Sequence, residues 1–455
     1  MKRVHRDFLK WIVAGAAVLL TLGNALGGDR LPNILVFCMD DLSEGLISCY
    51  GGGVPTPNID KIAENGIRFT QGYSTAPMCS PARIALLTGR YQAQRGVDGN
   101  FKPHKEGDPA PLGLDKGEPT LAERLKDLGY QNGIAGKWHL GEEEGFLPVD
   151  RGFDYSFGSV DNLKQNKKTG AGEGDFFRNS EIIRKPGWLV TSPMFADEAN
   201  QFMEINKDRP FFLYVSFNAA HAPAVYSERW AEKCADVPVK EGQRRKTAQV
   251  GEMDEAIGVV MQKLRELNLE EDTLIFCLSD NGRMDFVGGL AGMEGSNGLR
   301  GDKWKLWEAG VRVPWIVQWK GTLPAGKVME QVVSHLDMVP TALAAAGAES
   351  NPARTLDGIN LLPLMQGQTD KMDRDALYWR VGNKKAGIQS YAVRQGDWKL
   401  VKPVRDSDAS EVMLYNLAAD RGEQSDLSSK FPEKKQALKM TWDKWSDSMP
   451  KSVNR

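Results

Sequence analysis

Three stretches of the chain are apolar almost without a break. Ile34-Leu35-Val36-Phe37-Cys38-Met39 stops abruptly at Asp40-Asp41. Phe211-Phe212-Leu213-Tyr214-Val215-Ser216-Phe217 leads into Asn218 and then His221. Thr273-Leu274-Ile275-Phe276-Cys277-Leu278-Ser279 ends in Asp280-Asn281-Gly282. Short runs that are apolar at odd and even positions alike predict strands buried on both faces, as in a parallel sheet. Between the second and third runs, Val250, Met253, Ile257, Val260, Met261, Leu264 and Leu267 recur mostly every three or four positions, which predicts an amphipathic helix. Thr120 to Leu128 predicts a shorter helix that Gly129 ends. Strands alternating with helices imply an α/β fold with a mostly parallel sheet. Ligands of such sheets bind beyond the carboxyl ends of the strands. Asp40, Asp41, His221, Asp280 and Asn281 each follow a predicted strand and are expected on one sheet edge.

The pattern changes after Gly347. Residues 348–360 are polar and turn-rich, followed by short strand-like pieces at Ala376 to Arg380, Tyr391 to Arg394 and Trp398 to Val401, and a helical tail from Lys434 to Trp445. This predicts a large unit over residues 28–350 and a small C-terminal α+β unit over 351–455. Lys164 to Gly174 is expected to be an exposed loop. At the N-terminus, Lys2, Arg3, His5, Arg6 and Lys10 precede the apolar run Trp11 to Leu22 and the small residues Gly23, Ala25 and Gly27. That layout predicts a secretory signal over residues 1–27 and a secreted or periplasmic protein; the alternative is an uncleaved anchor. The apolar core is short for a membrane span, so no stable insertion is expected after cleavage.

Composition narrows the partners. The chain has 455 residues, 41% of them hydrophobic and 26% charged, with a net charge of −2. Such a balance suits a soluble globular protein and argues against a nucleic-acid partner. The five cysteines are Cys38, Cys49, Cys79, Cys234 and Cys277. Four of them could pair, but Cys38 and Cys277 lie in strand-like runs where a free buried thiol is common. Cys79 opens the segment Cys79-Ser80-Pro81-Ala82-Arg83, in which Ser80 suits an N-cap and Pro81 a first helical position. Cys79 would then sit at the positive end of a helix with Arg83 close by, as an anion-binding corner, a reactive thiol or simply a structural cysteine. Asp40, Asp41, Asp280 and Asn281 offer hard oxygens suited to Ca²⁺ or Mg²⁺, or alternatively cap turns. Lys137, His139, His221 and Lys303 add cations and bases. His335 and His104 carry weaker claims, His335 as a structural residue and His104 as a loop residue near the cleft.

Taken together, these segments resemble the type I sulfatases. Cys79-Ser80-Pro81-Ala82-Arg83 matches their C-x-P-x-R signature, and Gly129-Tyr130 through Gly136-Lys137-Trp138-His139-Leu140-Gly141 resembles their second one. Pro32 to Asp41, Ser279-Asp280-Asn281-Gly282, Leu299-Arg300-Gly301 through Arg312-Val313-Pro314, and Leu414-Tyr415-Asn416-Leu417 also resemble the family. Departures are Asn132, where Thr is usual, and Asp302, where a small residue is commoner. The resemblance implies an alkaline-phosphatase-like large domain for the catalytic unit, and hydrolysis of sulfate monoesters. It implies that Cys79 is converted to Cα-formylglycine by a formylglycine-generating or anaerobic sulfatase-maturating enzyme, and that the aldehyde hydrate is the nucleophile. It further implies that Asp40, Asp41, Asp280 and Asn281, together with the modified Cys79, hold a divalent cation, Ca²⁺ ahead of Mg²⁺. Arg83 would steady the hydrate, Lys137 and Lys303 would contact sulfate, His221 with Lys303 would protonate the leaving alcohol, and His139 would assist the second step.

The chain resembles the carbohydrate-directed members more than the aryl ones, so a sulfated glycan is the expected substrate. Arg283, His104 and Asp302 are candidate substrate contacts. Trp138, Trp304 and Trp307 are candidates for stacking on sugars or for packing. The alternatives are a phosphate or phosphonate monoester hydrolase, a small-aryl sulfatase, and a catalytically silent glycan- or metal-binding protein. The complete catalytic set speaks against the last.

Overall fold

The computed structural model describes residues 30–101, 112–165, 172–183, 190–236, 241–284, 297–348, 355–383, 385, 387–403 and 411–453. The predicted signal segment, His5 and His104 lie outside them. In chain order the strands are β1 (Asn33–Met39), β2 (Ile67–Tyr73), β3 (Gln131–Gly136), β4 (Tyr155–Ser159), β5 (Lys164–Gln165), β6 (Gly172–Glu173), β7 (Phe176–Arg178), β8 (Glu181–Ile183), β9 (Phe211–Ser216), β10 (Thr273–Ser279), β11 (Trp315–Gln318), β12 (Lys327–Ser334), β13 (Leu377–Asn383), β14 (Gly387–Gln395), β15 (Trp398–Lys402) and β16 (Met413–Asn416). Ten of them form one sheet in the order β12-β2-β11-β10-β1-β9-β3-β4-β7-β8. Its middle, β10-β1-β9-β3-β4, is parallel throughout. Antiparallel pairings appear toward both edges. The predicted 164–174 loop is partly a two-stranded ribbon, β5 with β6, and residues 166–171 lie outside the described ones.

The unbroken apolar runs have a simple cause. In β1, Ile34, Val36 and Cys38 join one core cluster, while Leu35, Phe37 and Met39 join another on the opposite face. Helices Cys79–Thr88 and Leu121–Lys126 cover the first face. Helices Pro57–Glu64, Thr191–Asn206 and Glu241–Glu266 cover the second. The last of these carries the predicted stripe from Val250 to Leu264 on its buried side. Thr120 caps the predicted short helix by accepting from the Glu123 amide at 3.1 Å. All five cysteines are free thiols.

A second sheet, β13 to β16, is antiparallel throughout. One face packs Trp379, Ala392 and Val401 against Tyr73, Leu306, Trp307 and Val311 of the large unit. The other packs Val393, Leu400 and Leu414 against Leu438 and Trp442 of the helix Pro432–Asp447. Charge also crosses between the sheets. The Lys399 ammonium lies 2.8 Å from Glu308 and 3.0 Å from Glu423, with all three side chains buried.

His335 is fully buried below the first sheet face and bonds through Nε2 to the Ser279 carbonyl at 2.9 Å. A carbonyl only accepts, so Nε2 carries the proton. Burial pushes this imidazole down to about 4 from an ordinary 6.5. The unfolded chain therefore takes up a proton near pH 6.5 that the folded chain refuses until near pH 4, and stability falls as pH drops through that window. Urea unfolding at pH 7.5 and 4.5 is expected to show about 2–3 kcal/mol more acid loss for the wild type than for His335→Gln. Equal losses in the two proteins would count against this reading.

Candidate active site

The register Met39↔Ser279 between β1 and β10 brings Asp40 and Asp280 side by side where the ladder ends. Asp41 turns back there with a left-handed φ of 60°, an uncommon conformation that Asp tolerates better than most residues. Its amide donates to Asp280 Oδ1 at 3.2 Å. Asn281 Nδ2 donates to Asp41 Oδ1 at 2.7 Å. Carboxylate oxygens of Asp40, Asp41 and Asp280 all lie within 4.8 Å of one another, and all three residues are buried. Three anions taken out of water so close together need compensation. Burial first and then the like charge of Asp40 push Asp280 up to about 6.

Cationic side chains converge on the same point. Arg83 pairs with Asp280 through Nε at 2.9 Å and Nη2 at 2.8 Å, and its Nη1 donates to Ser216 Oγ at 2.6 Å. Lys137 reaches Asp40 at 2.5 Å and Asn162 Oδ1 at 2.6 Å. Lys303 lies 2.7 Å from Asp41 Oδ1 and 3.1 Å from Cys79 Sγ. Burial opposes ionisation of both lysines, yet Asp40 holds Lys137 and Asp41 holds Lys303 above the ordinary lysine value.

Cys79 is the first residue of the helix Cys79–Thr88, and Met78 is its N-cap. The expected N-cap, Ser80, is instead inside the first turn, where its amide donates to Asn100 Oδ1 at 3.0 Å and its Oγ accepts from Phe101. The extended backbone of Met78 starts the helix two residues early, and Pro81 tolerates the shift because first-turn amides lack helical acceptors. Cys79 Sγ points into the cluster, 3.4 Å from Asp40 Oδ1. Burial, and then Asp40, raise this thiol above its ordinary value.

The two histidines flank the cluster. His221 Nε2 is 3.7 Å from Asp41 Oδ2, and burial lowers the ring to about 4. His139, with a left-handed φ of 61°, pairs through Nε2 with Asp161 Oδ1 at 2.8 Å. Burial lowers His139, and Asp161 acts in the opposite direction. The structure thus brings together Cys79, Arg83, Lys137, His139, His221, Lys303, Asp40, Asp41, Asp280 and Asn281. Arg283 contributes backbone, its carbonyl accepting from the Lys303 amide at 2.6 Å. Asp302 lies 3.6 Å from Lys305. Trp138 and Trp307 are buried, so packing is their role, whereas Trp304 is 46% exposed.

Several participants went unread in the sequence. Asp161 and Asn162 follow β4, and Ser216 ends β9, so the strand-end rule could have found them. Lys246 and Gln249 gave no such signal, being one of several polar residues in a helix. Gln249 Nε2 donates to the His221 carbonyl at 2.9 Å, and Lys246 donates to the Ala220 carbonyl.

The donor set suits a divalent cation. Its oxygens are hard, and Asn281 Oδ1 is buried without a hydrogen-bond partner while its amide nitrogen is fully engaged. The three carboxylates balance Arg83, Lys137 and Lys303, so a bound cation would make the site net positive and receptive to an anion.

The Sulfatase family model matches residues 32–348, and that of the N-sulphoglucosamine sulphohydrolase C-terminal region matches residues 297–447. Arylsulfatase A of Homo sapiens is 33% identical, covering 94% of this chain and 90% of its own length. N-acetylgalactosamine-6-sulfatase of Mus musculus is 32% identical, covering 93% and 87%. The crystal structure of Ps i-CgsB in complex with k-i-k-neocarrahexaose superposes with a TM-score of 0.81 at 25% identity, covering 92% of this chain and 94% of that one.

The His139–Asp161 pair makes a checkable prediction. Asp161 is the chief group raising the His139 value, so Asp161→Asn is expected to keep this ring neutral to lower pH than in the wild type. NMR titration of ¹³C-labelled histidine reads the shift directly, and an unmoved or raised midpoint would contradict the assignment.

Proposed function

The chain belongs to the sulfatase family, and from that premise we propose that it removes sulfate from a sulfated carbohydrate, with Cys79 as precursor of the nucleophile. The observation that carries this reading is the position of Cys79 Sγ, 3.1 Å from Lys303 Nζ and 3.4 Å from Asp40 Oδ1 at the focus of the charge cluster. A cysteine that reacted as itself would need a lowered pKa, because the thiolate is the nucleophile. Burial pushes Cys79 the other way, so the thiol is poorly suited to attack. Conversion of Cys79 to Cα-formylglycine by a separate maturation enzyme would supply an aldehyde hydrate, whose second hydroxyl lets sulfate be expelled without a separate hydrolytic water.

The chain's own residues supply the rest. Arg83 is anchored by Asp280 and Ser216 and steadies the group at position 79. Lys137 and Lys303 bind sulfate oxygens and offset charge in the transition state, where each such donor is worth about 3–4 kcal/mol. His221, with Lys303, donates a proton to the leaving alcohol; a bound sulfate anion raises its affinity for that proton. His139, kept neutral by burial, accepts a proton in the second step. Asp40, Asp41, Asp280 and Asn281, with the modified residue 79, would hold Ca²⁺, a Lewis acid at the sulfate oxygens. The carbohydrate assignment is supported by the kinship with N-acetylgalactosamine-6-sulfatase and by the likeness to a structure holding a neocarrahexaose. The basic and apolar N-terminus supports export across a membrane.

Mass analysis of the peptide containing residue 79, from protein co-produced with a maturation enzyme, is expected to show an aldehyde in place of the thiol. Cys79→Ala should abolish sulfate release from sulfated oligosaccharides, and activity with an intact thiol would overturn the nucleophile. On matched aryl esters, sulfate turnover is expected to exceed phosphate turnover.

Calcium gives a second test, independent of catalysis. At a hundred times its dissociation constant, Ca²⁺ added to chelator-treated protein should raise the unfolding free energy by about 2.7 kcal/mol. Asp280→Asn should lose most of that gain. A wild type indifferent to Ca²⁺ would remove the cation from the site.

A further inference from the structure

Trp304 is a residue that folding alone does not account for. It lies in the strap Leu299-Arg300-Gly301-Asp302-Lys303-Trp304, immediately after the lysine that approaches Cys79. Its backbone is left-handed, with φ at 75°, which is a genuine outlier for a bulky side chain. Glycine adopts that conformation freely, so a tryptophan here weakens the fold. Tryptophan usually recovers such a cost by burying its large ring. Trp304 does not: it is 46% exposed and stacks on no other aromatic ring among the described residues. The neighbouring Trp307 shows the contrast, since it is buried against Tyr415 at 5.8 Å with the Arg300 guanidinium 3.8 Å from its ring centroid.

What Trp304 gains is a place. Its amide donates to the Pro77 carbonyl at 2.9 Å, which ties it to the segment just before Cys79. The Lys303 ammonium lies 5.6 Å from the indole centroid and 3.1 Å from Cys79 Sγ. A sulfate held between Lys303 and residue 79 therefore brings its parent group beside the indole. A pyranose ring has a flat face of C–H groups, the surface an exposed indole can cover while hydroxyls stay in water.

We propose that Trp304 is a stacking platform for the sugar ring that bears the scissile sulfate, and so a specificity-determining residue of this enzyme. The inference rests on the sulfated-carbohydrate reading above. It makes Trp304 part of substrate binding, with the bond-breaking steps left to its neighbours.

The test compares W304G and W304F with the wild type on a sulfated oligosaccharide that the wild type desulfates. Glycine fits the left-handed backbone, so W304G should unfold at the same temperature as the wild type or higher. Its KM is expected to rise about five- to tenfold with kcat changed less than about threefold, and W304F should recover most of the KM. An unchanged KM in W304G, or a fall in kcat at constant KM, would overturn the platform, the latter by showing that Trp304 acts through Lys303. A wild type that hydrolyses aryl sulfates but releases no sulfate from any carbohydrate would instead sink the carbohydrate reading, and Trp304's role with it.

Discussion

The parallel pairing of β1 with β10 is the constraint on which the rest depends. Its register sets Asp40 and Asp280 next to each other past the last ladder bonds, in a place water cannot reach. Adjacent buried carboxylates repel, and each unpaired buried charge costs several kcal/mol. The fold answers with Arg83 from the helix Cys79–Thr88 and Lys137 from the end of β3, each delivered by an element packed on or within the same sheet. The same helix that delivers Arg83 also delivers Cys79. The position of Cys79 and the neutralisation of the carboxylates are thus one structural problem with one solution.

Lys303 arrives differently. It lies outside regular structure, in a strap whose two ends are held by the C-terminal sheet. Arg300 bonds to the Tyr415 hydroxyl at 3.1 Å, and Trp307 packs on the Tyr415 ring. Glu308, just beyond, is gripped by Lys399 at 2.8 Å and by the Tyr73 hydroxyl at 2.6 Å. Gly301 has no room for a side chain, since a Cβ there would meet Trp307 at 2.6 Å. The small sheet therefore acts on the site without touching it. It keeps the strap, and so Lys303, in register with Cys79.

Elements buried on both faces were legible in the sequence because burial leaves a periodic mark. The runs that lead into Asp40, His221 and Asp280 read as strands, and the strand-end rule carried these residues of the site with them. Arg83 was legible beside Cys79 from the helix-start chemistry of Ser80 and Pro81, whereas the roles of Lys137 and His139 in the β3 turn came only through the family resemblance, because a lone Lys or His carries no pattern. Helix starts were blurred: Ser80 and Pro81 have the right chemistry for the first turn but not its exact position, which the extended backbone at Met78 sets. Lys246 and Gln249 were illegible for a deeper reason. They support the His221 loop through its backbone carbonyls, and a carbonyl is the same at every residue. The three tryptophans looked alike in sequence, and only packing separates the exposed Trp304 from Trp138 and Trp307.

The charge count explains why these parts belong to one mechanism. Without a cation, three carboxylates and three cationic side chains nearly cancel, and the basic groups spend themselves on intramolecular pairs such as Lys303 with Asp41. A sulfate monoester offered to that site would have to break those pairs to be bound. A divalent cation among Asp40, Asp41, Asp280 and Asn281 would take over the carboxylates and free Lys137 and Lys303 for an anion. Cation binding and substrate binding would then be linked, each favouring the other through the same lysines. The lysines would then do two jobs in turn: they offset the buried carboxylates of the site, and they would hold the sulfate once a cation relieved them.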